Sequence, residues 1–535
     1  MYVDPNISRN QPVAGRRIGR SCGCIIALSS LLFIVVALLV AGGIWWSSGV
    51  SLAGFELPEP LADLVRSNRL MSAPPVALVL EEDGALTGLA LVNRPVGVRI
   101  ERNNNVDYTD VPIYLSVYDP VAAELSLRWE VEIDHEANPG DLKPVSLTQH
   151  GDLLLATVGT ELIAYAGADG AERWRSPLSD VVNQSCQGCL RAADGVVAVL
   201  TLDNIITAFD TNSGQSLWQY RLVSDQQPLT HNEHIALGLT GGHLIVMDEA
   251  AEANASRLVG LDMTTGAEAF VIMPTCEAGE DQGVFRFDPV ILDEAAGEAT
   301  IMFTTAGFGP VCQQSWDLQS GTERWTTVWP EEIELPFGVS YGLMASNRPS
   351  EFFALDSQNF YLAVEPADGN ETTNLLVVDR ASGALQVIDD NPTNAIMAPV
   401  VAEAGTVVVQ LRSTRGSEKD ELWVYDTNSG QNLWRYALHP TRRFGVDTGI
   451  GPVWAVALDG GDLIVIESGN SAAQFQVSRF DLASGGQQYQ TTRAMDEFAQ
   501  NITALYWSET QAFTLAFGEF YAIDLATGEL SRVWP

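Results

Sequence analysis

Four cysteines well beyond the N-terminus are the residues whose type and spacing most directly permit chemistry: Cys186, Cys189, Cys276 and Cys312. A Cys-x-x-Cys pair can form a redox centre, supply half of a zinc site or, with a His next to it, attach a c-type haem. Leu190 follows the pair here, which excludes the haem motif. The pair also lies in a stretch without a helix signal, whereas a redox pair usually opens a helix whose dipole lowers the thiol pKa. No further zinc ligands follow at a suitable spacing.

Disulfide bonds are therefore the prediction for these cysteines. The preferred pairing is a local bond between Cys186 and Cys189 and a second bond between Cys276 and Cys312. Four cysteines allow three pairings, and the sequence alone does not choose among them. In each case the bonds would staple loops and take part in no reaction.

The other candidate ligands receive structural interpretations. The histidine cluster consists of His231 and His234, with Glu233 between them and His243 further on. Two histidines three apart share a metal when they lie on a helix, but this region has the pattern of loop and strand, so we interpret them as surface residues. The acidic clusters at 81–83 and 331–334 are interpreted as solvated loops and not as calcium sites. The sequence thus predicts no catalytic, cofactor-binding or metal-binding residue.

Composition and charge limit the partners. The chain has 535 residues, a formal net charge of −39 and a pI near 4.3. A surface this acidic repels nucleic acid and anionic lipid, and it attracts cations or basic proteins. An apolar content of 46% is that of a globular protein.

The N-terminal residues predict a membrane anchor. The segment from Ile25 to Trp46 has no charged residue, and a helix of that length crosses a hydrocarbon core of about 30 Å. Arginines flank it on the N-terminal side only, which places the N-terminus in the cytoplasm and the remainder outside. A cleaved signal peptide is the alternative, but the apolar run is long and no small-x-small cleavage site follows it. We predict a cytoplasmic tail (1–22), a transmembrane helix (23–47), a stalk (48–75) and an extracytoplasmic domain (76–535).

Short apolar runs separated by turn residues fill the chain from about Val76 onwards. The stretch from Ala208 to Trp218 shows the unit: an apolar run ends at Asp210, small polar residues lead to Gly214, and a second run reaches Trp218. This pattern predicts a β-hairpin in which the Asp accepts backbone N–H groups and the Gly takes a positive φ.

The hairpin recurs about every 50 residues, a period typical of β-propeller blades. Seven copies keep the Asp and the Gly and lead to a residue in the Trp position: Asp210 and Gly214 to Trp218, Asp262 and Gly266 to Phe270, Asp317 and Gly321 to Trp325, Asp379 and Gly383 to Val387, Asp426 and Gly430 to Trp434, Asp481 and Gly485 to Tyr489, and Asp524 and Gly528, whose hairpin ends at Trp534. Two degenerate copies precede them, one from Asp119 to Trp129 and one from Ala166 through Gly170 to Trp174.

The pattern apolar-aromatic-Asp-x-x-[Ser/Thr]-Gly-x-x-x-Trp resembles the repeat of pyrroloquinoline-quinone (PQQ) dehydrogenase-type propellers, from about Val117 to the C-terminus. The resemblance implies an all-β propeller of eight four-stranded blades. Nine copies exceed that number by one, so either the first is a partial blade that closes the ring with the C-terminal strands, or one hairpin is an embellishment. We expect each hairpin to supply the two outer strands of a blade, with its Trp wedged into the next blade.

The resemblance implies two kinds of function. Its members include quinoprotein dehydrogenases and outer-membrane assembly lipoproteins that only bind proteins. The dehydrogenases hold PQQ over a Trp and under a disulfide of adjacent cysteines, with a bound calcium ion, and this sequence has no adjacent cysteine pair. We predict a non-enzymatic binding or scaffold module for an envelope protein or a cell-wall component, without a cofactor. The alternative is a PQQ- and calcium-dependent dehydrogenase of an alcohol or sugar.

Overall fold

The computed structural model describes most of the chain beyond residue 75. The described residues are 76–82, 85–93, 99–102, 105–108, 111–121, 124–136, 143–182, 188–223, 237–250, 255–275, 284–305, 311–330, 333–334, 353–366, 374–388, 395–413, 421–438, 454–468, 474–494, 502–507, 511–516 and 519–534. The chain divides into two compact units, Met1–Leu70 with Val96–Asp107, and Met71–Pro95 with Tyr108–Pro535. In the first unit the structure describes one strand pair, β3 (Arg99–Arg102) with β4 (Asn105–Tyr108).

The described part of the second unit consists of nine antiparallel sheets, which we call blades 1 to 9 in chain order. Blade 1 contains β1 (Val76–Glu82), β2 (Ala85–Asn93), β5 (Val111–Val121) and β6 (Glu124–Glu136). Blade 2 contains β7 (Val145–His150), β8 (Leu153–Val158), β9 (Glu161–Ala166) and β10 (Glu172–Pro177). Blade 3 contains β11 (Leu190–Ala193), β12 (Val196–Leu200), β13 (Ile205–Asp210) and β14 (Ser216–Arg221).

The middle blades include one that departs from four strands. Blade 4 contains β15 (Gly238–Thr240), β16 (His243–Ala250), β17 (Ala255–Asp262) and β18 (Glu268–Ile272). Blade 5 contains β19 (Val284–Asp293), β20 (Glu298–Thr305), β21 (Val311–Asp317) and β22 (Thr322–Val328). Blade 6 contains β23 (Ile333–Glu334), β24 (Phe353–Leu355), β25 (Asn359–Pro366), β26 (Asn374–Asp379) and β27 (Leu385–Ile388). In blade 6 the short strands β23 and β24 both pair with β25, so two pieces share the place of one first strand.

The last three blades return to four strands each. Blade 7 contains β28 (Ala395–Glu403), β29 (Thr406–Ser413), β30 (Glu421–Asp426) and β31 (Gln431–Ala437). Blade 8 contains β32 (Trp454–Asp459), β33 (Asp462–Ser468), β34 (Gln474–Asp481) and β35 (Gln487–Ala494). Blade 9 contains β36 (Ile502–Trp507), β37 (Gln511–Ala516), β38 (Glu519–Asp524) and β39 (Leu530–Trp534).

The prediction of an all-β propeller is confirmed, but the expected number of eight blades is wrong. The repeat at Asp119 belongs to a complete blade, because β1, β2, β5 and β6 form their own sheet. Neither a partial blade nor an embellishment is needed to explain the ninth repeat, since each of the nine repeats lies in a sheet of its own. Blade 9 contacts blade 1 through β36 with β1 and through β39 with β6, which closes the ring.

Burial explains why the inner strands lack an alternating pattern. The second and third strands of a blade are covered on both faces by neighbouring blades, so β12 and most of β8 are buried residue after residue. Outermost strands are covered on one face only, and β10 alternates between exposed and buried positions from Arg173 on. The core is therefore a series of layers between blades, such as the layer in which Phe209 and Leu222 of blade 3 lie with Val259 of blade 4.

No helix among the described residues is long and apolar enough to cross a membrane. The predicted tail, anchor and stalk (1–75) lie outside the described residues, so the membrane helix stays a prediction.

Candidate functional site

The repeated aspartates close turns of one form. In blade 3 the Oδ1 atom of Asp210 accepts hydrogen bonds from the backbone N–H of Asn212 (3.1 Å) and of Ser213 (2.8 Å), and from the Ser213 hydroxyl (2.7 Å). Gly214 then takes a φ of +70° and donates its N–H to the Asp210 carbonyl oxygen at 2.8 Å. A bond to Oδ1 from the N–H three residues on recurs in the turns that begin at Asp262, Asp317, Asp379, Asp426, Asp481 and Asp524.

These hydrogen bonds lower the pKa of Asp210, Asp262, Asp317, Asp481 and Asp524. The hydroxyls of Thr264 and Thr265, together with backbone N–H groups, lower the pKa of Asp262 to about 2. The Ser213 hydroxyl lowers the pKa of Asp210 in the same way. A carboxylate held as an anion by its own turn is poorly suited to exchange protons near neutral pH. The repeat aspartates therefore serve the fold.

In seven blades the aromatic residue of the hairpin lies against the turn of the following blade. The Trp174 indole N–H donates to the Thr211 carbonyl oxygen at 2.7 Å, and a Cβ atom at Gly214 would stand 2.6 Å from the Trp174 ring. Only glycine leaves room for the ring. The same contact joins Trp129 to Gly170, Trp218 to Gly266, Phe270 to Gly321, Trp325 to Gly383, Trp434 to Gly485 and Tyr489 to Gly528.

A β-bulge just before the aromatic residue turns it towards the next blade. In blade 3 Ala208 pairs with Trp218 and Phe209 pairs with Ser216, which leaves Leu217 as the extra residue. The same irregularity precedes the aromatic residue in blades 1, 2, 4, 5, 7 and 8. In blade 9 the irregularity lies further along the strand, between Arg532 and Trp534.

Blade 6 lacks this bulge, so the spacing in the sequence assigns the wrong residue, Val387, to the aromatic position. Val378 pairs with Leu385 and Val377 pairs with Gln386 without a shift of register. Gln386, and not Val387, therefore stands where the other blades have the aromatic residue. Accordingly the nearest side chains to a Cβ built on Gly430 in the next blade are those of Gln386 and Ile388, at 4.0 Å.

The structure describes two of the four candidate cysteines. Cys189 and Cys312 are both fully buried, and both are disulfide-bonded. Cys186 and Cys276 lie outside the described residues, so the two predicted pairings stay predictions.

The remaining candidate ligands are only partly covered. His231, Glu233 and His234 lie outside the described residues, whereas His243 is partly buried and meets the edge of the Phe270 ring at 5.5 Å between ring centroids. In the first acidic cluster Glu81 is exposed and donates its backbone N–H to Gln149. Among the residues that the structure describes, no group of three or more His, Cys, Asp or Glu side chains is arranged to hold a metal ion.

A buried ion-pair network between blades 5 and 6 was not predicted. Arg380 donates to Glu298 at 2.8 Å and to Asp293 at 2.7 Å, both in blade 5, and to the backbone carbonyl oxygen of Asp356 at 2.6 Å. Ser315 donates to the other oxygen of Glu298 at 2.6 Å. Burial alone would raise the pKa of Asp293, but hydrogen bonds from Ala296 and Arg380 lower it overall. The network fixes two blades together.

The ion-pair network could have been predicted by aligning the repeats of this sequence with one another. The residue after the repeat Asp is buried in the other described turns, where it is Thr or an apolar residue: Thr211, Met263, Leu318, Thr427, Leu482 and Leu525. Arg380 occupies the same position in blade 6, and a charge at a buried position needs a counter-charge.

Blades 3 and 4 meet at a groove built on a tyrosine and a carboxylate. Tyr220 lies two residues after Trp218 in β14, and its hydroxyl donates to Glu268 of β18 at 2.8 Å. Arg257 donates to the Tyr220 oxygen at 3.1 Å and to Asp248 at 2.7 Å. Burial, and then the bond to Glu268, raise the pKa of Tyr220 above its ordinary value. The hydroxyl therefore stays protonated and acts as a donor.

Exposed aliphatic side chains surround this cluster. Val271 pairs with Val259, which lies in the core layer shared with blade 3, so Val271 projects from the blade 3 side of its sheet. Met273 follows the last residue of β18, two residues after Val271. Val223 belongs to blade 3, and its N–H donates to Asp248 at 2.8 Å. Val223, Val271 and Met273 are 40%, 38% and 50% exposed. We call Tyr220, Val223, Glu268, Val271 and Met273 the blade 3–4 groove.

Blades 7 and 8 repeat the same groove with a polar rim. Tyr436 lies two residues after Trp434, and its hydroxyl donates to Glu467, which stands in β33 where Asp248 stands in β16. Gln476 takes the place of Arg257 and donates to Glu467 at 3.0 Å. The positions of Val271 and Met273, one and three residues after the aromatic residue, are Gln490 and Thr492 in blade 8.

The fold and its repeats define the class of protein. Nine blades joined by Asp, Gly and Trp contacts make the chain a member of the PQQ-like β-propeller repeat proteins. The family model described as outer membrane protein assembly factor BamB matches residues 123–359 and 315–534, and the chain belongs to that family.

The solved structures that the chain matches are distant in sequence. BamB from Moraxella catarrhalis is 13% identical, with 86% of this chain and 96% of that chain covered and a TM-score of 0.35. A europium-containing methanol dehydrogenase is 12% identical, with coverages of 70% and 82% and a TM-score of 0.38. Sqt1 from Saccharomyces cerevisiae is 10% identical, with coverages of 82% and 92% and a TM-score of 0.38. No curated protein matches the sequence significantly.

Proposed function

We propose that this protein is a membrane-anchored, extracytoplasmic, non-enzymatic binding module that docks another envelope component. The family match supports the class, because its description is that of an assembly factor. The observation that carries the proposal is the blade 3–4 groove. Its three aliphatic side chains are exposed around a cluster whose polar groups are hydrogen-bonded to one another. Exposed apolar patches with a polar surround are typical of protein interaction sites.

Two further observations support the location. The buried Cys189 and Cys312 are disulfide-bonded, which is usual for domains in an oxidising compartment and rare in the cytosol. The apolar segment 23–47 with arginines on its N-terminal side would hold the propeller on the outer side of the membrane. The acidic surface favours a basic partner, either a protein or a cell-wall polymer that carries cations.

Site-specific photo-crosslinking in the native cell tests this proposal. A photoreactive amino acid replaces Met273 in the full-length chain, and a matched variant carries it at Thr492 on the polar groove. We expect a defined crosslinked product at the first position that disappears when Val271 is also changed to Asp, and no product at the second. Equal products at both positions, or none at either, would count against the proposal.

The dehydrogenase alternative has its own test. The family's quinone enzymes use adjacent cysteines that this chain lacks. Purified protein incubated with PQQ and calcium should therefore not reduce an artificial electron acceptor in the presence of alcohols or sugars. Stoichiometric quinone binding with turnover would replace our proposal by that alternative.

A further inference from the structure

We infer that the free edge of β18 receives an extended strand from a partner protein, with aliphatic side chains on alternate residues and a basic residue opposite Glu268. The inference rests on the proposed function and specifies its partner. β18 is the outermost strand of blade 4, and no strand pairs with its outer edge among the described residues. An outermost strand offers a row of N–H and C=O groups to any extended segment that can reach it.

Glu268 is the one charged residue of β18, and the large exposed residues that follow it, Val271 and Met273, are aliphatic. Folded proteins usually place charged side chains on an edge strand to prevent pairing with other chains. Most described outermost strands follow this rule, with exposed charged residues at Glu130 and Glu132 in blade 1, Arg173 and Arg175 in blade 2, Arg221 in blade 3, Arg324 in blade 5 and Arg435 in blade 7. In blade 4 the positions one and three residues after the aromatic residue are Val271 and Met273.

The spacing of these two residues selects an extended partner. Residues two apart in an extended segment point to the same side. Val271 lies in β18 and Met273 follows its last residue, Ile272, so an extended backbone there would align the two aliphatic side chains in a row along the edge. A strand added beside β18 would place its own alternate side chains next to that row. A helix would present residues three and four apart, which does not match.

The charge of the groove selects a basic residue. The Nη2 atom of Arg257 lies 2.7 Å from Oδ2 of the fully buried Asp248 and 3.7 Å from Oε1 of Glu268. The Arg257 side chain itself is only 16% exposed. Glu268 is 42% exposed, so its carboxylate is the outward-facing charge of the groove. The net charge of −39 adds a long-range attraction for the same sign of partner.

Synthetic peptides and the full-length protein test strand addition directly. The probe is a short peptide of alternating valine and threonine with one central lysine. Two controls have the same sequence, one with N-methyl groups on alternate amides and one with glutamate for lysine. We expect the probe to bind, the N-methylated control to lose binding, and the glutamate control to bind at least about tenfold more weakly. Bound probe should slow hydrogen exchange in residues 268–272.

Matched variants locate the site. Val271→Asp and Met273→Asp should each weaken probe binding by about tenfold or more, because they replace an aliphatic contact with a charge beside the strand edge. Gln490→Asp and Thr492→Asp, on the polar groove of blades 7 and 8, should leave binding unchanged. Circular dichroism and thermal unfolding show that each variant is folded.

Every outcome bears on the inference. Equal binding of the probe and its N-methylated control, protection outside blade 4, or absence of probe binding would overturn strand addition. Crosslinking of Met273 to a second copy of this chain would also overturn it, in favour of self-association. If Met273 crosslinks to a partner in cells while the peptides fail, the proposed function stands and the strand mode fails. If the peptides bind but Met273 crosslinks to no partner in cells, the strand mode stands and the proposed function fails.

Discussion

The guanidinium group of Arg380 in blade 6 donates a 2.8 Å hydrogen bond to the buried carboxylate of Glu298 in blade 5. Removing Arg380 would leave that carboxylate without its main counter-charge in a site where Glu298 is only 3% exposed. We expect Arg380→Met to lower the free energy of unfolding by about 3–5 kcal/mol. Arg324→Met is the control, because Arg324 is 37% exposed and 3.4 Å from Glu298, and its cost should stay below about 1 kcal/mol. Urea denaturation measures both, and equal losses would contradict the buried role of Arg380.

Two glycines that share a backbone conformation should differ in their tolerance of alanine. Gly214 and Gly430 have φ values of +70° and +68°, so alanine is strained at both. At Gly214 the added Cβ would also meet Trp174 at 2.6 Å, whereas at Gly430 the nearest atom is 4.0 Å away. We expect Gly214→Ala to cost at least about 1–3 kcal/mol more than Gly430→Ala. Thermal unfolding of the two variants checks the difference, and similar midpoints would refute the packing argument.

Acid should weaken the turn of blade 4 in a defined range of pH. The pKa of Asp262 is about 2 in the folded protein, against 3.8 for an unperturbed Asp. A lowered folded-state pKa contributes stability that is fully present above the unfolded value and is lost as the pH falls from about 4 towards 2. In Thr265→Val the pKa of Asp262 should rise, and this variant should lose less stability than the wild type over that range. NMR titration of the Asp262 carboxyl carbon measures the pKa, and an unchanged value would show that the hydroxyl bond is unimportant.

Reduction of the disulfides should destabilise the propeller without abolishing its repeats. Cys189 and Cys312 are disulfide-bonded and buried in the hydrophobic clusters around blades 3 and 5, so each bond is anchored in the core. We expect a loss of about 2–5 kcal/mol for each bond removed. Peptide mapping under non-reducing conditions should find Cys186 with Cys189 and Cys276 with Cys312. Any other pairing would correct the prediction from spacing.

Local turn chemistry made the fold predictable from the sequence. Asp210, Gly214 and Trp218 each have a physical reason for their position, and their recurrence indicates blades before any coordinates are known. Counting blades failed only because the family resemblance was given more weight than the nine repeats. The bulge before the aromatic residue was missed, since an extra residue in a strand leaves no mark in the spacing within one chain. Its absence in blade 6 is what made Val387 look equivalent to Trp218.

The binding groove was harder to predict because its residues are far apart in the sequence. Tyr220, Asp248 and Glu268 come from different strands of two blades, and only the packing of those blades brings them together. Val271 and Met273 look like ordinary strand residues until the free edge of β18 is known. A comparison of positions one and three after each aromatic residue would have singled out this blade.

The closure of the ring has a mechanical consequence. Each described sheet takes its strands from one continuous stretch of chain, so no strand from the C-terminus completes the first blade. Blades 9 and 1 are in contact, and among the described strands no hydrogen-bonded pairing joins their two sheets. A circular permutant cut between two neighbouring blades should therefore still assemble, because no sheet would lose a strand.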